Sequence, residues 1–196
     1  ITRVTHELID GWIDKGKVEF VKEFAAPLPQ TVITNILGFP LEDMPMLRKW
    51  EEAQVRRFVY RTTHKNILTP DEERENAETL VEFHRYIHEQ VDRKRLHPAD
   101  DMTSFLTQVR YGADQRPLSD GEIVAVVYGM HIGGNATTQY AVAAQAQLLA
   151  ENPDLVAQLR ADRGKVRVFV EEALRMYAPT QGLSTRRVAK DVTLQG

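Results

Sequence analysis

Apolar residues recur at three- and four-residue intervals along most of this chain, the spacing of a helix with one buried face. Val4, Leu8, Ile9 and Trp12 predict a helix over residues 3–13, weakened at its end by Gly11 and Gly16. Lys17 to Val21 reads as briefly extended, and Ala26-Pro27-Leu28-Pro29 as a turn. Helical spacing resumes through Val32, Ile33, Ile36 and Leu37. Gly38 followed by Pro40 stops it, because glycine accepts the left-handed cap and proline cannot continue the ladder. A further helix is predicted from Met46 to Tyr60. Pro70-Asp71-Glu72-Glu73 then supplies the proline and acidic residues favoured in a first helical turn. Leu80, Phe83 or His84, Ile87 and Val91 line one side of that helix, and His97 to Asp101 breaks it. Residues 102–110 predict a short helix and 112–117 a loop.

Ser119-x-x-Glu122 is a capping-box pattern. It opens a long helix running to about residue 150, with Ile123, Val126 or Val127, Met130, Gly134, Thr137, Ala141 and Leu148 on one face. Small residues occupy the opposite side as well, so the helix is expected to be buried nearly all round. Its centre is Gly133-Gly134-Asn135-Ala136-Thr137-Thr138. Two adjacent glycines there cost roughly 1 kcal/mol each relative to alanine, and they let a ligand or another backbone come close. A threonine hydroxyl can bond the carbonyl one turn back and loosen the ladder. Two readings fit these residues: close helix–helix packing, or a helix opened beside a cavity.

Asn152-Pro153-Asp154 caps a short helix to about Arg160, and residues 165–177 form another, stopped by Pro179. On the latter, Glu172 and Arg175 stand one turn apart, where an ion pair forms readily, and the apolar run before them suggests partial burial. Only the tail looks beta-like, with Arg187-Val188-Ala189 and Val192-Thr193-Leu194 around a turn at Lys190-Asp191. Arg186 and Arg187 precede it; an arginine there could clasp a carboxylate or simply be solvated.

Composition narrows the function classes. The 196 residues are 42% hydrophobic and 27% charged, with a formal net charge of -3 and basic residues interspersed among acidic ones. Nothing here calls for a nucleic-acid or anionic-membrane partner. No window approaches the roughly 18 consecutive apolar residues of a membrane span. The start, Ile1-Thr2-Arg3, has no signal-peptide character and reads as a cut within a longer protein. There is no cysteine, hence no disulfide, thiolate metal site or cysteine nucleophile within these residues, and a cytoplasmic location fits. His84 and His88, four residues apart, read as a packed or surface pair; His6, His64, His97 and His131 show no ligand-like spacing, so no metal site is expected.

In their order and spacing these features resemble the soluble bacterial cytochromes P450. The six residues Gly133 to Thr138 resemble that family's I-helix centre, and Glu172-Ala173-Leu174-Arg175 its K-helix Glu-x-x-Arg. Arg187-Val188-Ala189 followed by Asp191 to Gly196 resembles the stretch entering the sheet, where an arginine meets a haem propionate. Phe24 to Pro29 with Ile36 to Pro40 is similar to the D-to-E-helix region, and Leu118 to Glu122 to the entry into the I helix. The resemblance implies a mainly α, partial P450 fold, about D helix through K helix and the first following sheet segment. Residues 1–196 would be the central helical portion of a single domain, with the I-like helix at about 120–150.

The resemblance further implies heme b as cofactor, with its cysteine ligand outside this sequence, so that the 196 residues alone would be inactive. An electron donor of ferredoxin-like or flavodoxin-like type and a small apolar substrate are the implied partners. Thr137, with Asn135, would order water on the oxygen side of the haem; Met130, Gly133, Gly134, Ala136 and Thr138 would line the substrate and oxygen pocket. Arg187 would hold a propionate, and Glu172 with Arg175 would be structural. Residues of about 46–95 would contain the E, F and G helices, with Phe58, Tyr60, Ile67 and Leu68 offering apolar contacts to substrate. Ala136 departs from the family pattern, which has Asp or Glu there in a proton-delivery network; Asn135, Thr137 or ordered water would substitute in part. The rival is a non-catalytic helical binding or interaction protein.

Overall fold

The computed structural model describes residues 1–57, 68–180 and 189–193. Helix α1 covers Thr2–Asp10 and is followed by a 3-10 turn at Ile13–Lys15. Residues Val21–Ala25 form a π-helical turn that leads directly into α2, Pro27–Leu37, so the segment expected to be extended is already helical at Phe20 and Val21. The Pro27-Leu28-Pro29 segment is therefore a helix start rather than a turn. Both prolines fall in the first turn, where backbone N–H groups have no helical partner to lose.

Gly38 ends α2 as the spacing predicts, at φ 71°. Its lack of a side chain matters twice: a Cβ there would also collide with the Asp101 carboxyl. Asp101 caps α5 (Met102–Gln108) by accepting from the Ser104 amide at 2.8 Å, and it is paired with Lys94 at 2.6 Å. The stop of one helix is thus packed against the start of another.

Helix α3 covers Met44–Arg57 and α4 covers Pro70–Leu96. Thr69 and Glu72 close a full capping box at the start of α4, with the acidic first turn and basic last turn that complement the helix dipole. Trp50 of α3 stacks on Phe83 of α4 at 5.1 Å between ring centroids. Tyr86 meets Phe39 edge-on at 5.3 Å and donates to Asp43 at 2.7 Å. Ile33, Leu37, Leu47, Ile87, Val91, Leu106, Ile123, Val124 and Val127 complete the core, which lies where α2, α3, α4 and α5 meet α6. Burial of such side chains stabilises by roughly 1.5–3 kcal/mol each.

Arg110–Tyr111 and Arg116–Pro117 pair as a small antiparallel hairpin. Two-residue strands are too short to show a period, so the sequence pattern predicts a helix end and a loop there. At the tail, described residues 189–193 form no strand.

Ser119 and Glu122 form the expected capping box, opening α6 at Asp120–Gly134; α7 continues over Ala136–Glu151. Asn135, at φ -107° and ψ -80°, separates them, so the expected single helix is broken at its centre. Nor is it buried all round. Helix α6 buries Ile123, Val124, Val127 and His131, whereas α7 buries no residue fully. Pro153–Ala161 forms α8 and Val166–Met176 forms α9; both lie against the α7 end of the molecule. No helix among the described residues is long and apolar enough to cross a membrane.

Candidate active site at a broken helix

The break at Asn135 gives successive residues different neighbours, because adjacent helical positions point about 100° apart. Gly133 is exposed, and a Cβ built there meets nothing within 4 Å. The same holds for Gly129 one turn earlier. Thr137, one turn later, is half-buried and donates its hydroxyl to the Gly133 carbonyl at 2.8 Å. Gly129, Gly133 and Thr137 therefore form an open strip that spans the break.

Gly134 lies on another side. A Cβ there would stand 3.1 Å from Ile33 Cδ1, so this glycine lets α2 pack closely on α6. Met130, one turn before it, is half-buried against the apolar core. Both differ from the expected pocket lining: the close-packing reading of the glycine pair holds at Gly134, whereas Gly133 faces open space and lines neither of the cavities that flank the helix. Thr138 is exposed on α7.

Asn135 also departs from its expected place beside Thr137. It is 1% exposed and turned toward α3, where its Nδ2 donates to Glu51 Oε2. One turn away, His131 Nδ1 meets Gln54 Oε1 at 2.8 Å, and Gln54 Nε2 donates to the Tyr128 carbonyl at 3.2 Å. Glu51 and Gln54 of α3 thus face Asn135 and His131 of α6 and the break as two buried polar rungs. Two atoms of this cluster, Asn135 Oδ1 and His131 Nε2, are buried without a hydrogen-bond partner.

The electrostatics of the rungs follow from burial. Desolvation lifts the Glu51 carboxyl from 4.5 to about 7, with Glu52 adding repulsion; Arg48 and the Asn135 hydrogen bond pull the other way. Desolvation lowers His131 from 6.5 to about 4, leaving its imidazole neutral at pH 7. Phe83 packs against that ring at 4.8 Å. The sequence pattern missed Glu51, Gln54 and His131. A signal was present: Leu47, Trp50, Glu51 and Gln54 share the inward spacing of α3.

Two cavities flank the broken helix. One, of about 580 Å³, is bounded by Arg48, Glu51 and Arg56 of α3 and by Ala136, Gln139 and Tyr140 of α7. The other, of about 750 Å³, lies between α3, α4 and α6, with Leu80, Val81, Val124, Gly129 and Ile132 among its apolar lining. His84 and His88 stand at its edge, His84 edge-on to Tyr128 at 5.0 Å. No cluster of His, Asp or Glu able to hold a metal ion occurs among the described residues.

Glu172 and Arg175 form the expected pair on α9, bidentate at 2.6 and 2.8 Å. The pair is exposed, at 52% and 69% of side-chain surface, rather than partly buried. The Arg175 hydrogen bond holds Glu172 below the usual carboxylate range. Arg186 and Arg187 lie outside the described residues, as do Phe58, Tyr60 and Ile67.

This mainly helical chain, with its longest helical run broken beside a glycine pair and a threonine, matches part of the cytochrome P450 fold, and bacterial cytochromes P450 are the proteins it resembles. The biotin biosynthesis cytochrome P450 of Bacillus subtilis is 29% identical over 196 residues, 100% of this chain and 47% of that protein. The cyclomarin C epoxidase of Salinispora arenicola is 32% identical over 195 residues, 99% of this chain and 47% of its own. Among solved structures, CYP109E1 of Bacillus megaterium in complex with testosterone matches at a TM-score of 0.80 and 28% identity, over 99% of this chain and 49% of that one. The chain spans about half the length of the curated relatives it matches. No protein-family model matches it.

Proposed function

We propose that the protein carrying this chain is a haem-thiolate monooxygenase that inserts one oxygen atom from O2 into an apolar organic substrate. The observation that carries the reading is the strip Gly129, Gly133 and Thr137, which is free of side-chain bulk and has a hydroxyl at one end. A flat cofactor fits against such a strip, since glycine allows close approach. Heme b supplies the oxygen chemistry when bound; the residues around it position substrate and protons. The 196 residues contain no cysteine, so the thiolate ligand belongs to another part of the protein.

In this reading Gly133 makes room for oxygen and substrate, and the Thr137 hydroxyl orders water at the same place. Its hydrogen bond to the Gly133 carbonyl fixes the oxygen atom Oγ1 across the break. The largely apolar lining of the cavity between α3, α4 and α6 favours a small apolar substrate. Arg187 pairs with a propionate, Glu172 and Arg175 hold the α9 region, and a ferredoxin-like or flavodoxin-like protein delivers electrons. The 196 residues by themselves are inactive.

The test is the carbon-monoxide difference spectrum of the intact, reduced protein. A thiolate-type Soret band is the expected result. Its absence under native conditions would favour a non-catalytic helical binding protein, in which both glycines serve packing alone.

A further inference from the structure

We propose that Glu51 of α3 is a proton-holding acid for the helix break, exchanging its proton with solvent in the cavity it shares with Ala136. The inference rests on the monooxygenase reading and assigns to that site a residue on a different helix.

Three observations support it. Glu51 is 8% exposed and has no salt-bridge partner among the described residues. The nearby cations make their hydrogen bonds elsewhere, Arg48 to Gln30 at 3.2 Å and Arg56 to Glu72 at 2.8 Å, and the through-space pull of Arg48 does not outweigh the burial of Glu51. An unpaired buried carboxyl favours its neutral, protonated form, and the midpoint of about 7 lets it load and release a proton near neutral pH.

Second, its hydrogen-bond partner suits both protonation states. The carboxylate accepts from Asn135 Nδ2. Asn135 Oδ1 is buried with no partner, and after rotation of the amide it would accept from the protonated acid. Asn135 is the residue of the break itself, so the carboxyl is fixed at the point where the helix opens.

Third, the same cavity carries Ala136, the residue between Asn135 and Thr137. Its methyl group neither holds nor gives a proton. A proton taken from cavity solvent forms the O–H bond on Glu51; its release to solvent beside Ala136, the neighbour of Thr137 in the chain, regenerates the carboxylate and passes the proton to the water that the Thr137 hydroxyl orders. The other charged or titratable groups facing this cavity are Arg48, Glu52 and Arg56 of α3 and Tyr140 of α7, with Gln30 of α2 and Gln139 of α7 as neutral polar neighbours. His131, neutral, stands one turn along α6.

The experiment uses the intact haem-loaded protein and the variants Glu51→Gln, Ala136→Asp and the double variant. Infrared difference spectra taken across pH should show a protonated carboxyl band titrating near 7, lost in Glu51→Gln. Product formed per electron pair should fall as pH rises through 7 in the native protein. In Glu51→Gln it should be low and independent of pH, down by roughly tenfold or more. The double variant should recover coupling, because a carboxyl at position 136 enters the same cavity. Three results would each overturn the proposal: no titrating band sensitive to Glu51, unchanged coupling in Glu51→Gln, or a loss that Ala136→Asp does not restore. A protein lacking the thiolate-type Soret band fails the functional reading instead, and the infrared titration remains readable without it.

Discussion

Thr137→Ala in the intact protein is expected to uncouple electron use from product while leaving the fold in place. The hydroxyl is the one polar group on the open strip, and it is held to the Gly133 carbonyl at 2.8 Å. Removing a hydrogen bond to a group that carries or develops charge costs about 1.5–3 kcal/mol, or roughly ten- to a hundredfold in rate. Stability should move in the opposite direction or not at all. Alanine is the better helix former by several tenths of a kcal/mol, and the lost side-chain bond is solvent-exposed. Thr137→Ser keeps the hydroxyl and should retain most of the coupling. The measurement is product per electron pair consumed, with a thermal melt alongside. Full coupling in Thr137→Ala would remove the hydroxyl from the mechanism.

Glu51→Gln should raise stability, by an amount that grows with pH. The sign follows from burial, which lifts the folded-state value of Glu51 above its unfolded value of 4.5, to about 7. The native state then binds its proton more tightly than the unfolded state, and this stabilising preference is complete below 4.5 and lost as pH rises through 7. A tenfold difference in proton affinity between the two states corresponds to about 1.4 kcal/mol, so replacing the acid by its neutral isostere recovers up to about 3 kcal/mol at pH 8.

His131 works in the opposite sense. Its folded value of about 4 lies below its unfolded 6.5, so its contribution is full above 6.5 and lost as pH falls through 4. Between 4.5 and 6.5 the two slopes cancel, and the contribution of this cluster to stability is nearly flat with pH. Glu51→Gln leaves only the histidine slope, so the variant should lose part of its advantage toward acid. Urea unfolding of both proteins from about pH 4 to 8 would show the difference growing with pH. A difference independent of pH would mean that Glu51 titrates normally in the fold.

Helix boundaries were legible wherever a residue's own chemistry sets them. Gly38 stops α2 through its positive φ, Pro70 with its acidic neighbours starts α4, and Ser119 with Glu122 starts α6. The capping partner Thr69 and the Asp101 contact with Gly38 depend on neighbours that a period cannot reveal. The site was legible as a locus and not as an arrangement. Gly133, Gly134, Asn135, Ala136 and Thr137 are contiguous in sequence, yet they divide among the open strip, α2, α3 and a polar cavity. Which residue faces which neighbour follows from tertiary packing.

Glu51 and Gln54 show the complementary difficulty. Polar residues at inward spacing on α3 are the signature of a buried network, but Glu51-Glu52 in a charged helix reads equally as a solvated face. Only the approach of Asn135 and His131 distinguishes the two.

A crystal structure of the intact protein with haem bound would show whether Gly133 and Thr137 face the cofactor while Gly134 and Asn135 face protein. The expected result is the macrocycle beside the Gly129–Gly133–Thr137 strip, with Ile33 still against Gly134 and Glu51 still bonded to Asn135. A polypeptide helix packed over Gly133, with Thr137 turned to bulk solvent and the haem elsewhere, would contradict it.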